Sequence, residues 1–236
     1  MLRTLFGSLP DFICIGAQKA GTTWLHSQLS QHPEVYVSKI KELDYFIDPS
    51  KTLAWYKRQF RGANSLQITG ELSPNYMPRV DPASIAALVP NVKLICMLRN
   101  PIDRAFSQWK MARRLGKIPK SQTFVHAFDA DARFMRTRGM YSDLIESFEK
   151  YFPLQSQLGV FFFEDIEARP EALVRSIFKY LGVDTEFVPS HLHTKVYASS
   201  SSEEISELDR KKVTEFYIPN VAKLEDRLGR DLSSWI

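Results

Sequence analysis

Lys19, Thr22 and Thr23 fall within one short glycine-punctuated stretch, Gly16-Ala17-Gln18-Lys19-Ala20-Gly21-Thr22-Thr23-Trp24. Phe12 to Ile15 ahead of it reads as an apolar strand, and the residues after it read as a helix. Strand, glycine turn and helix start together make the layout of a phosphate-binding loop. The glycines allow a tight turn, the helix N-terminus presents its N–H groups, and the lysine and hydroxyls add donors. The chemistry so specified is capture of a phosphorylated or otherwise polyanionic ligand, although a ligand-free strand-to-helix turn would use the same glycines. In the nucleotide-triphosphatase pattern a lysine directly follows the second glycine, whereas here Thr22 holds that place and the lysine lies two residues before Gly21. The usual magnesium geometry is therefore not implied.

A second constellation follows at Leu94-Ile95-Cys96-Met97-Leu98-Arg99-Asn100-Pro101-Ile102-Asp103-Arg104-Ala105-Phe106-Ser107. The apolar run ending at Leu98 suits a strand buried on both faces of a parallel sheet, and Asn100-Pro101 reads as a helix N-cap with proline at the first helical position. Arg99 is thereby placed at the carboxyl edge of a strand, where open α/β sheets gather their ligands and where a guanidinium captures phosphate. Ser107, about two turns into the helix, is either a further donor to that anion or a solvated serine.

The two segments resemble the 5'-phosphosulfate loop and the Arg-x-Pro signature of sulfotransferases that use 3'-phosphoadenosine 5'-phosphosulfate (PAPS). The resemblance extends over nearly the whole chain from Phe12. It implies an α/β fold, a central parallel sheet flanked by helices with a P-loop-like start, and transfer of a sulfuryl group to an acceptor hydroxyl, ahead of an amine, on a carbohydrate, lipid or small metabolite. It further implies cofactor contacts from Lys19, Ala20, Gly21, Thr22, Thr23, Trp24, Arg99 and Ser107. Trp24 matches the residue that stacks on adenine in relatives, although a tryptophan in an amphipathic helix also suits a core. Lys39-Ile40-Lys41-Glu42-Leu43-Asp44-Tyr45-Phe46 resembles the segment that carries a glutamate base, and Glu42 is the matching residue. Lys19 then stabilises the leaving phosphate, as sulfuryl transfer needs both a base and a cation.

Relatives often carry histidine where this chain has Asp44. Glu71-Leu72-Ser73-Pro74 is similar to a Glu-Lys-Thr-Pro element of heparan-type enzymes, with Leu72 in the lysine's place. Asp44, Glu71 and Tyr141 are candidates for substrate contact, with a local hydrogen bond as the alternative for Glu71 and a structural role for Tyr141. Lys195, in Thr194-Lys195-Val196-Tyr197, aligns with a cofactor-covering loop, and the serines at 199 to 202 suit an entrance or plain surface loop. Other readings of the chain are a magnesium-dependent kinase or phosphotransferase, and a nucleotide-binding protein without catalysis.

Positioning these residues requires alternating elements. Strands are expected at 12–17, 66–71, 92–99 and 158–163, with an extended piece at 35–38. Helices are expected at 22–31, 52–61, after Asp81-Pro82, at 101–115 and from Pro170 toward Leu181, and such alternation predicts a parallel sheet covered by helices. Polar helix-like material fills 121–151. In 203–229, Ile205, Leu208, Phe216, Leu224 and Leu228 recur at partly helical intervals around Pro219, which predicts two helices or one broken helix.

With 236 residues, 44% of them hydrophobic, the chain suffices for a single domain behind a lead-in at 1–11. No signal peptide or membrane span is read, so the expectation is a soluble, cytoplasmic protein with no membrane insertion. Cys14 and Cys96 lack disulfide or metal-ligand spacing, His191 and His193 lack partners of recognised spacing, and no metal is expected. Residues 99–138 hold ten Lys or Arg against three Asp, where the whole chain nets only +4. That surplus favours an anionic ligand or acceptor, or forms a solvated helix end at Arg113, Arg114, Lys117 and Lys120; no nucleic-acid motif accompanies it. Oligomeric state leaves no signature.

Overall fold

The computed structural model describes residues 7–193 and 203–236. Its centre is a five-stranded parallel sheet of β1 (Phe12–Gly16), β2 (Val35–Val37), β3 (Ile68–Leu72), β4 (Lys93–Leu98) and β5 (Leu158–Phe162), in the order β2-β3-β1-β4-β5. Every residue of β1 is buried, as its unbroken apolar sequence requires of a strand paired on both edges and covered on both faces. Asp11 fixes where that strand enters: its carboxylate accepts the Thr69 amide at 2.8 Å while its own amide donates to the Thr69 carbonyl.

Parallel pairing demands crossovers, and these supply α1 (Thr22–Leu29), α2 (Leu53–Arg58), α3 (Pro82–Leu88), α4 (Pro101–Arg114), α5 (Phe124–Asp129) and α6 (Tyr141–Glu149), followed by α7 (Glu164–Ala168), α8 (Pro170–Leu181) and α9 (Glu207–Leu228). Local chemistry sets their starts. The Thr52 hydroxyl caps α2, Asp81 caps α3 ahead of Pro82, and Asn100 accepts the Ile102 amide at 2.9 Å ahead of Pro101. In α8 the buried residues Leu173, Val174, Ile177, Phe178 and Leu181 repeat at helical spacing, and Gly182 in the left-handed region ends the helix. None of the described helices is long and apolar enough to cross a membrane.

The helix-like material expected at 121–151 is α5, two single 3-10 turns and α6. One expectation is corrected. The segment around Pro219 is a single helix, α9, rather than two or a broken one. Pro219 and Glu215 are both exposed, so the carbonyl that loses its amide partner lies on the water side of the helix, where solvent can satisfy it. The buried face of α9 is Val213, Tyr217, Asn220, Val221 and Leu224; Leu208 and Phe216 are exposed.

Gly70 on β3 lies opposite Phe12 in the sheet, and a methyl group built there would stand 2.3 Å from the Phe12 ring. That ring is fully buried and has no room to withdraw. Gly70→Ala is therefore expected to lower unfolding stability by about 1–3 kcal/mol, the usual cost of overpacking, as measured by denaturant titration.

Candidate functional site

The carboxyl ends of β1 and β4 open into a cavity of about 610 Å³, within the usual size of small-molecule sites. Lys19, Gly21, Thr22, Thr23, Trp24, Glu42, Arg99 and Ser107 all line it, so residues from the three separate sequence segments meet in one place. Gly21 is the N-cap of α1 at φ 85°, with no side-chain cap, which leaves the first N–H groups of the helix for a ligand. A methyl group on Gly21 would meet Ile166 at 2.5 Å and Phe163 at 3.1 Å, so glycine is required there by space as well as by backbone angle.

Arg99 closes the far wall. Its guanidinium lies over the Phe163 ring, 4.4 Å from the centroid, and donates to the Lys19 carbonyl at 3.3 Å. The backbone behind it is pinned as well. The Tyr141 hydroxyl donates to the Arg99 carbonyl at 2.9 Å, Glu164 accepts the Asn100 amide at 3.0 Å, and the Asn100 side chain donates to the Trp235 carbonyl at 3.2 Å.

Lys41, which the sequence does not single out, lines the same cavity and donates to the Thr23 hydroxyl at 2.5 Å. Burial, followed by the nearby charges of Arg99, Arg114 and Lys41, lowers the pKa of Lys19. Burial raises that of Glu42, with Lys41 opposing. The donor set fits a polyanion: cations and hydroxyls converge, and the uncapped turn forms a cradle that a Cβ would fill. Bound negative charge would relieve the repulsion that Arg99, Arg114 and Lys41 exert on Lys19. Gln18, Phe163, Leu192 and His193 also line the cavity. Phe163 directly follows β5, so the edge rule that located Arg99 could have found it.

Other candidates are placed differently. Ala20 is buried and does not line the cavity. Trp24 lines the wall but is only 3% exposed, its indole N–H donating to the Leu192 carbonyl at 3.0 Å, which leaves little of its face for a base. Tyr141 is fully buried behind Arg99 and serves to hold it, rather than reaching a substrate. Asp44 is half-buried, does not line the cavity, and accepts from Asn75. Lys195 and the serines at 199 to 202 lie outside the described residues. His193 pairs with Glu171 at 2.8 Å, and the described residues contain no group of three or more His, Cys, Asp or Glu placed to hold a metal.

Glu71 does not reach substrate space either: it is fully buried and accepts hydroxyls from Tyr56 at 2.5 Å, Ser73 at 2.6 Å and Tyr76 at 3.2 Å. Ser73 in turn accepts the Asp44 amide at 3.2 Å, so this network supports the segment that carries Glu42. Burial raises the Glu71 pKa from 4.5 to about 7, with the three hydroxyls opposing. The folded protein then holds a proton that the unfolded chain releases, and stability declines as pH rises from 4.5 to about 7. Glu71→Gln should flatten that part of the stability profile, measured by denaturant titration at stepped pH.

Comparison with known proteins agrees with this geometry. A family model described as Sulfotransferase domain matches residues 9–220. The human bifunctional heparan sulfate N-deacetylase/N-sulfotransferase 2 is 29% identical over 97% of this chain and 31% of its own length. The human heparan sulfate glucosamine 3-O-sulfotransferase 6 is 30% identical over 78% of this chain and 55% of its own. The chain thus spans roughly a third to a half of these curated relatives. The crystal structure of a sulfotransferase from Alicyclobacillus acidocaldarius superposes with a TM-score of 0.85 at 28% identity, covering 97% of this chain and 99% of that one.

Proposed function

We propose that this chain, which belongs to the sulfotransferase domain family, uses PAPS to sulfate a carbohydrate hydroxyl, with Glu42 as general base and Lys19 as the group that stabilises the leaving phosphate. The observation that carries the reading is the convergence of Lys19, the α1 N-terminus, Arg99 and Ser107 on one cavity that Glu42 also lines. Bound there, PAPS supplies an activated sulfuryl group on a phosphate leaving group. Gly21 to Trp24 and Lys19 would hold the 5'-phosphosulfate end, and Arg99 with Ser107 the 3'-phosphate.

Glu42 takes the acceptor's proton as its oxygen bonds to sulfur. Lys19 neutralises charge growing on the oxygen from which sulfur departs. Its lowered pKa, set by burial and by neighbouring cations, suits donation to that oxygen. Burial raises the Glu42 pKa and so strengthens the carboxylate as an acceptor of the proton. A carbohydrate acceptor bearing negative charge is supported by exposed Arg79 and Arg133, which lie close enough to Arg138 to oppose its charge, and by exposed Phe134 beside it. The heparan sulfate enzymes among the relatives point the same way. Cys14 and Cys96, both buried free thiols, suit a reducing compartment, and we place the reaction in the cytoplasm.

Calorimetric titration with 3'-phosphoadenosine 5'-phosphate (PAP) alongside ATP and magnesium tests the donor. Selective PAP binding, weakened roughly ten- to a hundredfold in Arg99→Ala by loss of charged hydrogen bonds, is expected; selective ATP binding would sink the reading.

Glu42→Gln should lower kcat by roughly 10²- to 10⁴-fold with PAP affinity intact. Because burial raises the Glu42 pKa, wild-type turnover should fall as pH drops through a midpoint above 4.5, and the residual turnover of the variant should lack that limb. Full activity in Glu42→Gln would remove Glu42 from the role.

A further inference from the structure

We propose that Arg138 is a positioning residue that braces the segment carrying Lys19 against the segment carrying Glu42 and sets the charge that Glu42 meets. The inference rests on the reading of Glu42 as the base. Arg138, in the short turn before α6, is only 7% exposed. One arm of its guanidinium donates to the Gln18 side-chain oxygen, and the other donates to Asn75 at 2.9 Å. The Asn75 amide then donates to the Asp44 carboxylate at 3.3 Å. Gln18 is next to Lys19 and Asp44 is two residues beyond Glu42, so one planar fork joins the two segments that must deliver the reacting groups.

The electrostatics make this more than a strut. Among the described residues no carboxylate is paired directly with Arg138, and its third nitrogen, Nε, is buried with no partner among them. The charged groups that act on it most strongly are Arg104, Arg79 and Arg133, all of like sign, and then Glu42 of opposite sign. Burial, followed by those arginines, lowers its pKa to about 10, so it remains a cation at neutral pH. Around Glu42 stand Lys41, Asp44, Arg138 and Lys19, of which Asp44 opposes ionisation and the three cations favour it. Lys41 and Lys19 belong to the face that receives the donor. Arg138 therefore supplies positive charge to the base through a link that does not depend on the donor.

A purely mechanical brace and a charge-setting brace are separated by the titration of Glu42 itself. In the full-length chain labelled with 13C at glutamate carboxyls, the Glu42 signal is identified by its loss in Glu42→Gln and followed against pH without any ligand. Arg138→Met should move its midpoint upward and lower kcat by roughly ten- to a hundredfold, as slight misplacement of reacting groups does. Arg138→Lys should restore the midpoint but not the full kcat, because a single ammonium cannot span Gln18 and Asn75 as the guanidinium fork does. Asn75→Ala, which cuts the brace while keeping the Arg138 charge, should lower kcat and remains informative if Arg138→Met fails to fold.

An unmoved midpoint in folded Arg138→Met, or wild-type kcat in Asn75→Ala, overturns the proposal. Should Glu42→Gln retain full turnover, the base reading falls on its own, while the ligand-free titration still decides whether Arg138 sets the charge at Glu42.

Discussion

The guanidinium of Arg99, held between the face of Phe163 and the carbonyl of Lys19, ties together the ends of three parallel strands. Lys19 follows β1, Arg99 follows β4 and Phe163 follows β5, and the sheet alone would leave these loop starts free to splay. Lys19 itself sits in the left-handed region at φ 73°, a conformation that non-glycine residues adopt only when their surroundings impose it. The bond to its carbonyl supplies part of that imposition. The same guanidinium that would bind one end of the ligand therefore also shapes the loop that binds the other.

Glu42 is treated similarly. It too has a left-handed backbone, at φ 59°, as does Asp44 at φ 49°. Their amides are spoken for by the Leu72 carbonyl and the Ser73 hydroxyl, and Ser73 is held by buried Glu71. The residues proposed to act on the acceptor proton and on the leaving phosphate thus both stand on backbone that tertiary hydrogen bonds hold in place. That is preorganisation by scaffold: the strained segments are anchored at the carboxyl ends of β3 and β4, strands buried at all but their first residues. It also explains why Glu71 and Tyr141, which look like substrate contacts in sequence, lie one layer behind the cavity wall.

The part of the cavity wall that follows β1 and β4 was legible because it is made of local motifs. Gly21 marks a tight turn, Asn100 and Pro101 mark a helix start, and the short apolar run before Arg99 suits a buried strand; each signal is contained in a few consecutive residues. The carboxyl-edge rule then puts Arg99 beside Lys19 with no further information. Lys41, Gln18 and Arg138 were not legible as site residues, because their roles depend on partners far away in the chain: Thr23 for Lys41, and Asn75 together with Gln18 for Arg138. Pro219 failed as a helix breaker for a similar reason. What the proline costs depends on whether the orphaned carbonyl meets water, and that is decided by which face of α9 packs against the core.

The two halves of the site differ in how their charge is balanced, and the difference bears on the order in which ligands act. On the donor side Arg99 and Lys41 both disfavour the charge on Lys19, so a bound polyanion would gain affinity by offsetting them. Glu42 is half-buried between that set and Arg138, and its ionised form is favoured by cations on both sides. Once a polyanion screens Lys19 and Lys41, the positive charge nearest the base that is not offset is that of Arg138. Donor binding would then weaken the support for the Glu42 carboxylate from one side and raise its proton affinity, which is the direction a base needs as the acceptor arrives. On the reading of Glu42 as the base, it need not be strong in the empty cavity; the charge of a bound donor would make it stronger at the step where it is used.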